Sequence, residues 1–398
     1  LINNWEATYF DFNEEKILSI ARQASELGIE MLVLDDGWFG SRDSDNAGLG
    51  DWFVNTDKLK GGLTDLVTGI NGLGMKFGIW IEPEMVNEDS RLYREHPDWA
   101  LTIPGRKPCR SRNQLVLDMS RSEVRDYVFD SIAAVLKSAN VEYVKWDMNR
   151  SICDVYSAVL PKERQGEVYH RYVLGIYDLM ERFTSSFPNI LFEGCSGGGG
   201  RFDPAILYYS PQIWCSDDTD GIERLEIQYG TSFFYPISAV GSHISAIPNH
   251  QTGRRTPLTT RGVVAMAGSF GYEMDLNLLT EDEKEAVKAQ VEDYKKYYDL
   301  IHNGDYYRLA SPQGDSGFTA WQFVSGDKTR TLLNLVITHV RANAPDLWFK
   351  LRGLDPEKRY RLEENGRIYS GSALMNAGIS IPMIMGDYPA VQMVLTEV

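Results

Sequence analysis

Two aspartates that follow apolar runs, Asp147 in "YVKWDMNR" (Tyr143 to Arg150) and Asp217 in "WCSDDTD" (Trp214 to Asp220), have the residue type and setting for nucleophilic or acid–base work. Two carboxylates on separate strands are what glycoside hydrolysis requires, one attacking the anomeric carbon and one protonating the leaving oxygen. Lys145, two residues before Asp147, is expected to hold it ionised as a nucleophile. Asp217, crowded by Asp218 and Asp220, is expected to retain a proton and act as the acid.

Other polar clusters end apolar runs in the same way. They are Asp35-Asp36-Gly37-Trp38, Trp80 with Glu82-Pro83-Glu84, Lys145 to Asn149, Cys195 followed by Ser196 and four glycines, and Ser216 to Asp220. Carboxylates packed this densely repel one another unless a polar ligand or cations such as Lys145 and Arg112 offset them. A sugar suits the mixture, because its hydroxyls donate and accept in fixed directions while an apolar face stacks on an aromatic ring. Trp5, Trp38, Trp52, Trp80 and Trp146 are all near these clusters. Trp52, in the turn-rich "AGLGDWFVN", and Trp5 have the stronger ligand claims, whereas Trp38 and Trp146 read as core.

Positioning such residues requires a scaffold whose strands end together. Up to about Asn303, short β-type runs alternate with amphipathic helical stretches, the pattern of βα units. The runs are Glu6–Phe12, Glu30–Asp36, Lys76–Glu82, Glu142–Asp147, Ile190–Cys195, Gln212–Asp217, Ile237–Ser242 and Ser269–Asp275. Eight strands close a (β/α)8 TIM barrel, whose catalytic residues gather at the C-terminal strand ends. Ser122 is expected to cap the helix after it, and Thr280 with Glu283 has capping-box spacing. After about Asp305 the pattern turns to alternation, with Asn365-Gly366 as a hairpin signal. The expected organisation is therefore a barrel over 1–304 and a small C-terminal antiparallel β-sandwich domain over 305–398.

Bulk properties narrow the partners. A net charge of -16 and a pI near 4.9 argue against nucleic acid and anionic membrane, which need clustered Lys and Arg. No apolar run reaches the roughly 20 residues that span a bilayer, and "LINNWEATYF" has no signal-peptide character. The four cysteines, Cys109, Cys153, Cys195 and Cys215, have no C-x-x-C spacing and fit free thiols in a reducing, cytoplasmic setting. Leu1 in place of Met suggests a piece of something longer.

Competing readings of these residues are weaker. Asp35 and Asp36 would suit magnesium in an enolase-like barrel, but that chemistry needs further carboxylates on successive strands and a Lys or His base, and Lys145 is the only lysine at a strand end. The run "CSGGGG" lacks phosphate-loop spacing, and its glycines instead let backbone approach a sugar closely. A strand-end Asp is commonly a helix cap, an alternative for Asp217 and Asp218 because a helix follows near Ile222. Glu82 and Glu84, on either side of Pro83, read as loop-fixing.

Taken in order, "LDDGWFG", "AGLGDW", "GIWIEPEM", "SRNQLVLD", "YVKWDMNR", "FEGCSGGGGRFD" and "WCSDDTD" closely resemble the α-galactosidases of glycoside hydrolase family 36, over essentially the whole chain. The resemblance implies a retaining exo-α-galactosidase for raffinose- or melibiose-type oligosaccharides, needing no cofactor or metal. Asp147 would be its nucleophile and Asp217 its acid/base. It further implies that Asp35 and Asp36 bind the far hydroxyls and that Trp80 lines the pocket. Arg112, Lys145 and Asn149 would hydrogen-bond galactose, Cys195, Gly197 and Gly198 would abut its 2-position, and Trp5 would lie over the mouth. Trp52 and Asp218 join them as substrate contacts. Family members carry an N-terminal β-sandwich domain that serves tetramer assembly and part of the aglycone subsite, and the resemblance implies that this sequence begins where that domain would end; a homo-oligomer stays an open expectation. The alternatives are an α-N-acetylgalactosaminidase or galactosyl-transferring enzyme of the same fold, or an inactive carbohydrate-binding fragment.

Overall fold

The structure, a computed structural model, describes residues 1–314, 316–381 and 384–398. Eight parallel strands follow one another in sequence order round a closed barrel: β1 (Ile2–Asn3), β2 (Met31–Leu34), β3 (Lys76–Ile81), β4 (Tyr143–Trp146), β5 (Leu191–Gly194), β6 (Gln212–Trp214), β7 (Val240–Ser245) and β8 (Ser269–Glu273). By packing, the chain divides into two compact units, residues 1–214 with 273–278 and residues 215–272 with 279–398.

In the first unit, helices alternate with the strands. The helix Glu14–Glu26 buries Ile17, Ile20, Ala21 and Ala24 at three- and four-residue spacing, and Asn13 caps it by accepting from the Lys16 N–H. The helix Val168–Ser186 likewise turns Tyr172, Ile176, Leu179, Met180 and Phe183 inward. The helix Ser122–Ser138 begins one residue earlier than expected. Arg121 rather than Ser122 stands at its cap position, and no side chain caps it.

The first strand also differs from expectation. Ile2–Asn3 is the strand, and Trp5–Thr8 forms a short helix where a strand over Glu6–Phe12 was expected. Asn3 explains this, because its side-chain oxygen accepts from the Trp5 N–H at 2.8 Å and offers the backbone a turn in place of a ladder.

The second unit holds the seventh strand, which starts three residues later than expected. Ile237–Ala239 forms a 3-10 turn after Pro236, and the buried run is Val240–Ser245. The helix Glu281–Asn303 has the expected capping box, with Thr280 and Glu283 bonded reciprocally. Beyond it, a six-stranded antiparallel sheet runs in the order Asp305–Ala310, Phe318–Val324, Arg330–Ile337, Ala390–Glu397, Arg359–Leu362, Ile368–Ser370. The Asn365-Gly366 hairpin joins the last two in space, with Gly366 at φ 72. Leu333, Leu335, Tyr360 and Leu395 share one core with Phe349 and Ile381 of the two-stranded ladder Leu347–Phe349 with Ile379–Ile381. Among the described residues, no helix is long and apolar enough to cross a membrane.

Candidate active site

Strand register builds the site in the first unit. Parallel pairing aligns Trp80 of β3 with Lys145 of β4, and Lys145 with Glu193 of β5, so these side chains share a face. With a side-chain period of two, Glu82, Asp147 and Cys195 form the next row, just past the strand ends. Between them the outward residues stay apolar, as Trp146 does against Phe183 at 5.6 Å. The change from apolar to charged within Tyr143–Arg150 is thus the two faces of one strand.

Asp147 is buried and held on both oxygens by N–H donors. Oδ2 accepts from Trp80 Nε1 at 3.1 Å and Asn149 Nδ2 at 2.7 Å, and Oδ1 accepts from the backbone N–H groups of Met148 at 2.8 Å and Gly197 at 3.3 Å. Gly197 lies at φ 52 and Gly198 at φ 83, left-handed conformations that turn the chain toward the carboxylate at little cost for glycine. Cys195 is buried beside them.

Lys145, expected to hold Asp147 ionised, makes its ion pair with another carboxylate. Its ammonium meets Asp35 Oδ2 at 3.0 Å, and Asn3 Nδ2 reaches the same oxygen at 2.6 Å. Burial alone would depress the lysine, but Asp35, Cys195, Glu273 and Asp147 around it hold its pKa well above the ordinary value. The neighbouring Asp36 is gripped by Arg42 through Nε at 3.0 Å and Nη2 at 2.8 Å. Burial nevertheless pushes the Asp36 carboxyl up, overcoming Arg42, with Asp35 and Asp147 adding to the rise. The carboxylates of Asp35 and Asp36 are therefore each engaged by a protein cation. Among the described residues, no group of three or more His, Cys, Asp or Glu side chains is placed to hold a metal.

Glu82 is the neighbour that sequence reasoning undervalued. Burial first, and then the charge of Asp147, drive its carboxyl up to about 8, against the Asn149 N–H that donates to it at 2.5 Å. The signal was present, since Glu82 follows Trp80 by the same two residues that separate Asp147 from Lys145. Glu84, in contrast, braces the barrel wall, accepting from Trp146 Nε1 at 2.9 Å, Tyr172 Oη at 2.5 Å and Arg201 at 2.8 Å. Arg42 had no signal at all, lying in the loop "SRDSDN" well away from any strand end.

The other expected contacts fall in three settings. Trp38 and Trp52 are both buried and tilted against each other at 6.2 Å; the Trp38 N–H is spent on the Trp80 carbonyl, whereas the Trp52 N–H is buried without a protein acceptor. Trp5 is half-buried, with its ring edge-on to Tyr9 and Phe10, each at 5.2 Å. Arg112 is exposed on the loop before Leu115–Val116, in a left-handed conformation at φ 50.

Asp217 and Asp218 belong to the second unit, just past the end of β6. Asp217 is exposed and Asp218 half-buried. Their loop is clamped by the buried Arg224, which donates to the carbonyls of Ser216 at 2.7 Å and Asp218 at 2.6 Å. The following helix is capped by Asp220, through the N–H groups of Ile222 at 2.8 Å and Glu223 at 3.2 Å. Asp220 does not crowd Asp217 as a loose charge: although burial would raise its pKa, hydrogen bonds from Thr252, the helix backbone and Arg254 bring it below the ordinary value.

Comparison with known proteins adds an independent line. The melibiase family model matches residues 1–304, and the model for the glycosyl hydrolase family 36 C-terminal domain matches residues 318–395. The chain is 56% identical to a bifunctional alpha-galactosidase/sucrose kinase of Mediterraneibacter gnavus over all of its own length and 42% of that protein. It is also 56% identical to alpha-galactosidase AgaA of Geobacillus stearothermophilus, over 98% of this chain and 53% of that one. The crystal structure of that enzyme superposes with a TM-score of 0.98 at 55% identity, covering all of this chain and 55% of that one. Variants of the same enzyme have been solved with raffinose and with stachyose. The chain spans about half the length of the curated relatives it matches.

Proposed function

The chain belongs to glycoside hydrolase family 36, the melibiases, and on that footing we propose that it is the catalytic part of a retaining exo-α-galactosidase acting on raffinose- or melibiose-type oligosaccharides. In this reading residues 1–304 are the catalytic domain and 305–398 the β domain. Asp147 attacks the anomeric carbon and Asp217 protonates the departing glycosidic oxygen; water, deprotonated by Asp217, then releases galactose with its α configuration kept. Asp35, Asp36, Lys145 and Asn149 bind the sugar hydroxyls, with Trp80, Cys195, Gly197 and Gly198 as walls and Arg112, Trp5, Trp52 and Asp218 as further contacts.

The carboxylate of Asp147 carries this reading most directly. It accepts on both oxygens, and four donors fix its direction, which a nucleophile needs. Asp147 directly follows β4, and Asp217 comes after Cys215 and Ser216 beyond the end of β6. The substrate class is supported by the raffinose and stachyose complexes of the Geobacillus stearothermophilus enzyme. Time-resolved proton NMR with nitrophenyl α-galactoside tests the whole scheme. α-Galactose as the first product is expected; β-galactose would overturn double displacement, and galactose binding without turnover would leave a binding fragment.

A further inference from the structure

Outside the carboxylate cluster, two loops of the first unit are stitched together by buried charge. The loop that carries Arg112 runs from about 102 to 114, and the loop that follows Asp147 runs from 149 to 157. Arg150 of the second donates to the carbonyl of Cys109 in the first at 2.8 Å and also to the carbonyl of Gln114. In return, Asp154 accepts the Cys109 N–H at 2.6 Å. Both Arg150 and Asp154 are buried. At this seam lie two free, exposed cysteines, Cys109 and Cys153, with Arg150 Nη2 2.6 Å from the Cys153 sulfur.

We propose that Cys109 and Cys153 are an oxidative modification site, closing a reversible disulfide that ties the Arg112 loop to the loop after the nucleophile. Three features favour a bond between these sulfurs over separate oxidation. One guanidinium holds both residues, with Arg150 Nη1 2.8 Å from the Cys109 carbonyl and Nη2 2.6 Å from the Cys153 sulfur, so the two thiols start from one fixed neighbourhood. The loops that carry them are fixed relative to each other by Arg150 and Asp154. Both thiols are open to small oxidants, unlike the buried Cys195 and Cys215.

The oxidant is a peroxide. One thiolate attacks one oxygen of hydrogen peroxide, the O–O bond breaks, the other oxygen leaves as hydroxide and is protonated to water, and the attacked oxygen stays on sulfur as a sulfenic acid. The second thiolate attacks that sulfur and expels the remaining oxygen as a second water, so two thiols and one peroxide give one disulfide and two waters. A dithiol reverses it by exchange through a mixed disulfide. Burial and the second thiol hold the Cys153 thiol above its usual pKa despite Arg150, so the reaction quickens as pH rises.

Peptide mapping of the intact chain after peroxide treatment tests the bond directly, independently of any hydrolytic activity. Expected is a tryptic product joining Lys107–Arg110 to Ser151–Lys162, lighter by two hydrogens than the sum of its parts, absent after dithiothreitol and absent in Cys109→Ser. Sulfinic acid on the separate peptides, with no joined product, would overturn the proposal. Native-state trypsin nicking at the exposed Arg106 and Arg110 reads the tie: it is expected to slow several-fold in the oxidised chain and recover on reduction. Unchanged nicking in a chain that carries the joined product would refute the tie between the loops.

Discussion

Lys145 and Asp147 share one face of β4, yet the lysine's ammonium is committed to Asp35, two strands away, at 3.0 Å with both groups buried. The charge that the sequence places beside Asp147 is therefore paired with the neighbouring carboxylate. A buried pair that loses one partner leaves an uncompensated charge, at a cost of about 3–5 kcal/mol. Asp35→Asn is expected to lower the unfolding free energy by that order in a denaturant titration. Adding Lys145→Met to it should recover part of the loss, because the stranded ammonium is then gone. An Asp35→Asn variant as stable as the parent would show that Asp35 is not the counter-ion of Lys145.

How much of this was legible in the residues follows from which contacts are local. Strand-end clusters such as Asp35-Asp36 and Lys145-Trp146-Asp147 are contiguous, so their positions could be read. The period of two also places Trp80 and Glu82 on the face of Lys145 and Asp147. Which carboxylate Lys145 meets depends instead on register between strands far apart in sequence. Arg42 is only six residues from Asp36, but it lies in an irregular loop, where no period tells which way a side chain points. The first strand was misplaced for a different reason: Glu6–Phe12 has β-type residues, but the Asn3 side chain diverts the backbone into a turn just ahead of them.

Glu82 gives a pH dependence of defined sign. Its carboxyl stands near 8 in the folded chain, above its unfolded value of 4.5, so between those limits the folded state binds more protons than the unfolded one. Stability is then expected to fall as pH rises from about 4.5 through about 8, by an amount on the order of a few kcal/mol at ~1.4 kcal/mol per unit. Glu82→Gln keeps a neutral side chain and an acceptor for the Asn149 N–H, and should flatten this slope. Urea unfolding at pH 5 and pH 8.5 in both proteins measures it, and an identical slope in the variant would assign the titration elsewhere.

Trp80 offers a way to separate orientation of the Asp147 carboxylate from the proposed contact of its ring with substrate. Its indole N–H donates to Asp147 Oδ2 at 3.1 Å, while its ring stacks on Phe39 at 6.2 Å. Trp80→Phe retains an aromatic ring but removes the donor. Hydrogen bonds to charged groups contribute about 1.5–3 kcal/mol, so kcat on nitrophenyl α-galactoside is expected to drop roughly 10- to 100-fold. A folded variant with unchanged kcat and a raised KM would mean that the ring serves binding alone.

Small anions can assign the two aspartates by the stereochemistry of their products. In a double displacement the nucleophile attacks from the face opposite the leaving group, so truncating it opens that face to an external anion. Asp147→Gly with azide and an activated galactoside is expected to yield β-galactosyl azide, since azide takes the place of the missing carboxylate. Asp217→Gly leaves the nucleophile intact but removes the proton donor, a loss of about 10²–10⁴-fold for a substrate whose leaving oxygen needs protonation and a much smaller one for nitrophenol. Azide then attacks the galactosyl-enzyme from the vacated acid/base side, and the product is the α-azide. NMR of the two products distinguishes the roles without reference to rate. If both variants gave the same anomer, one of the aspartates would have been assigned the wrong face, and Asp218, next along the same loop, would be the residue to substitute in its place.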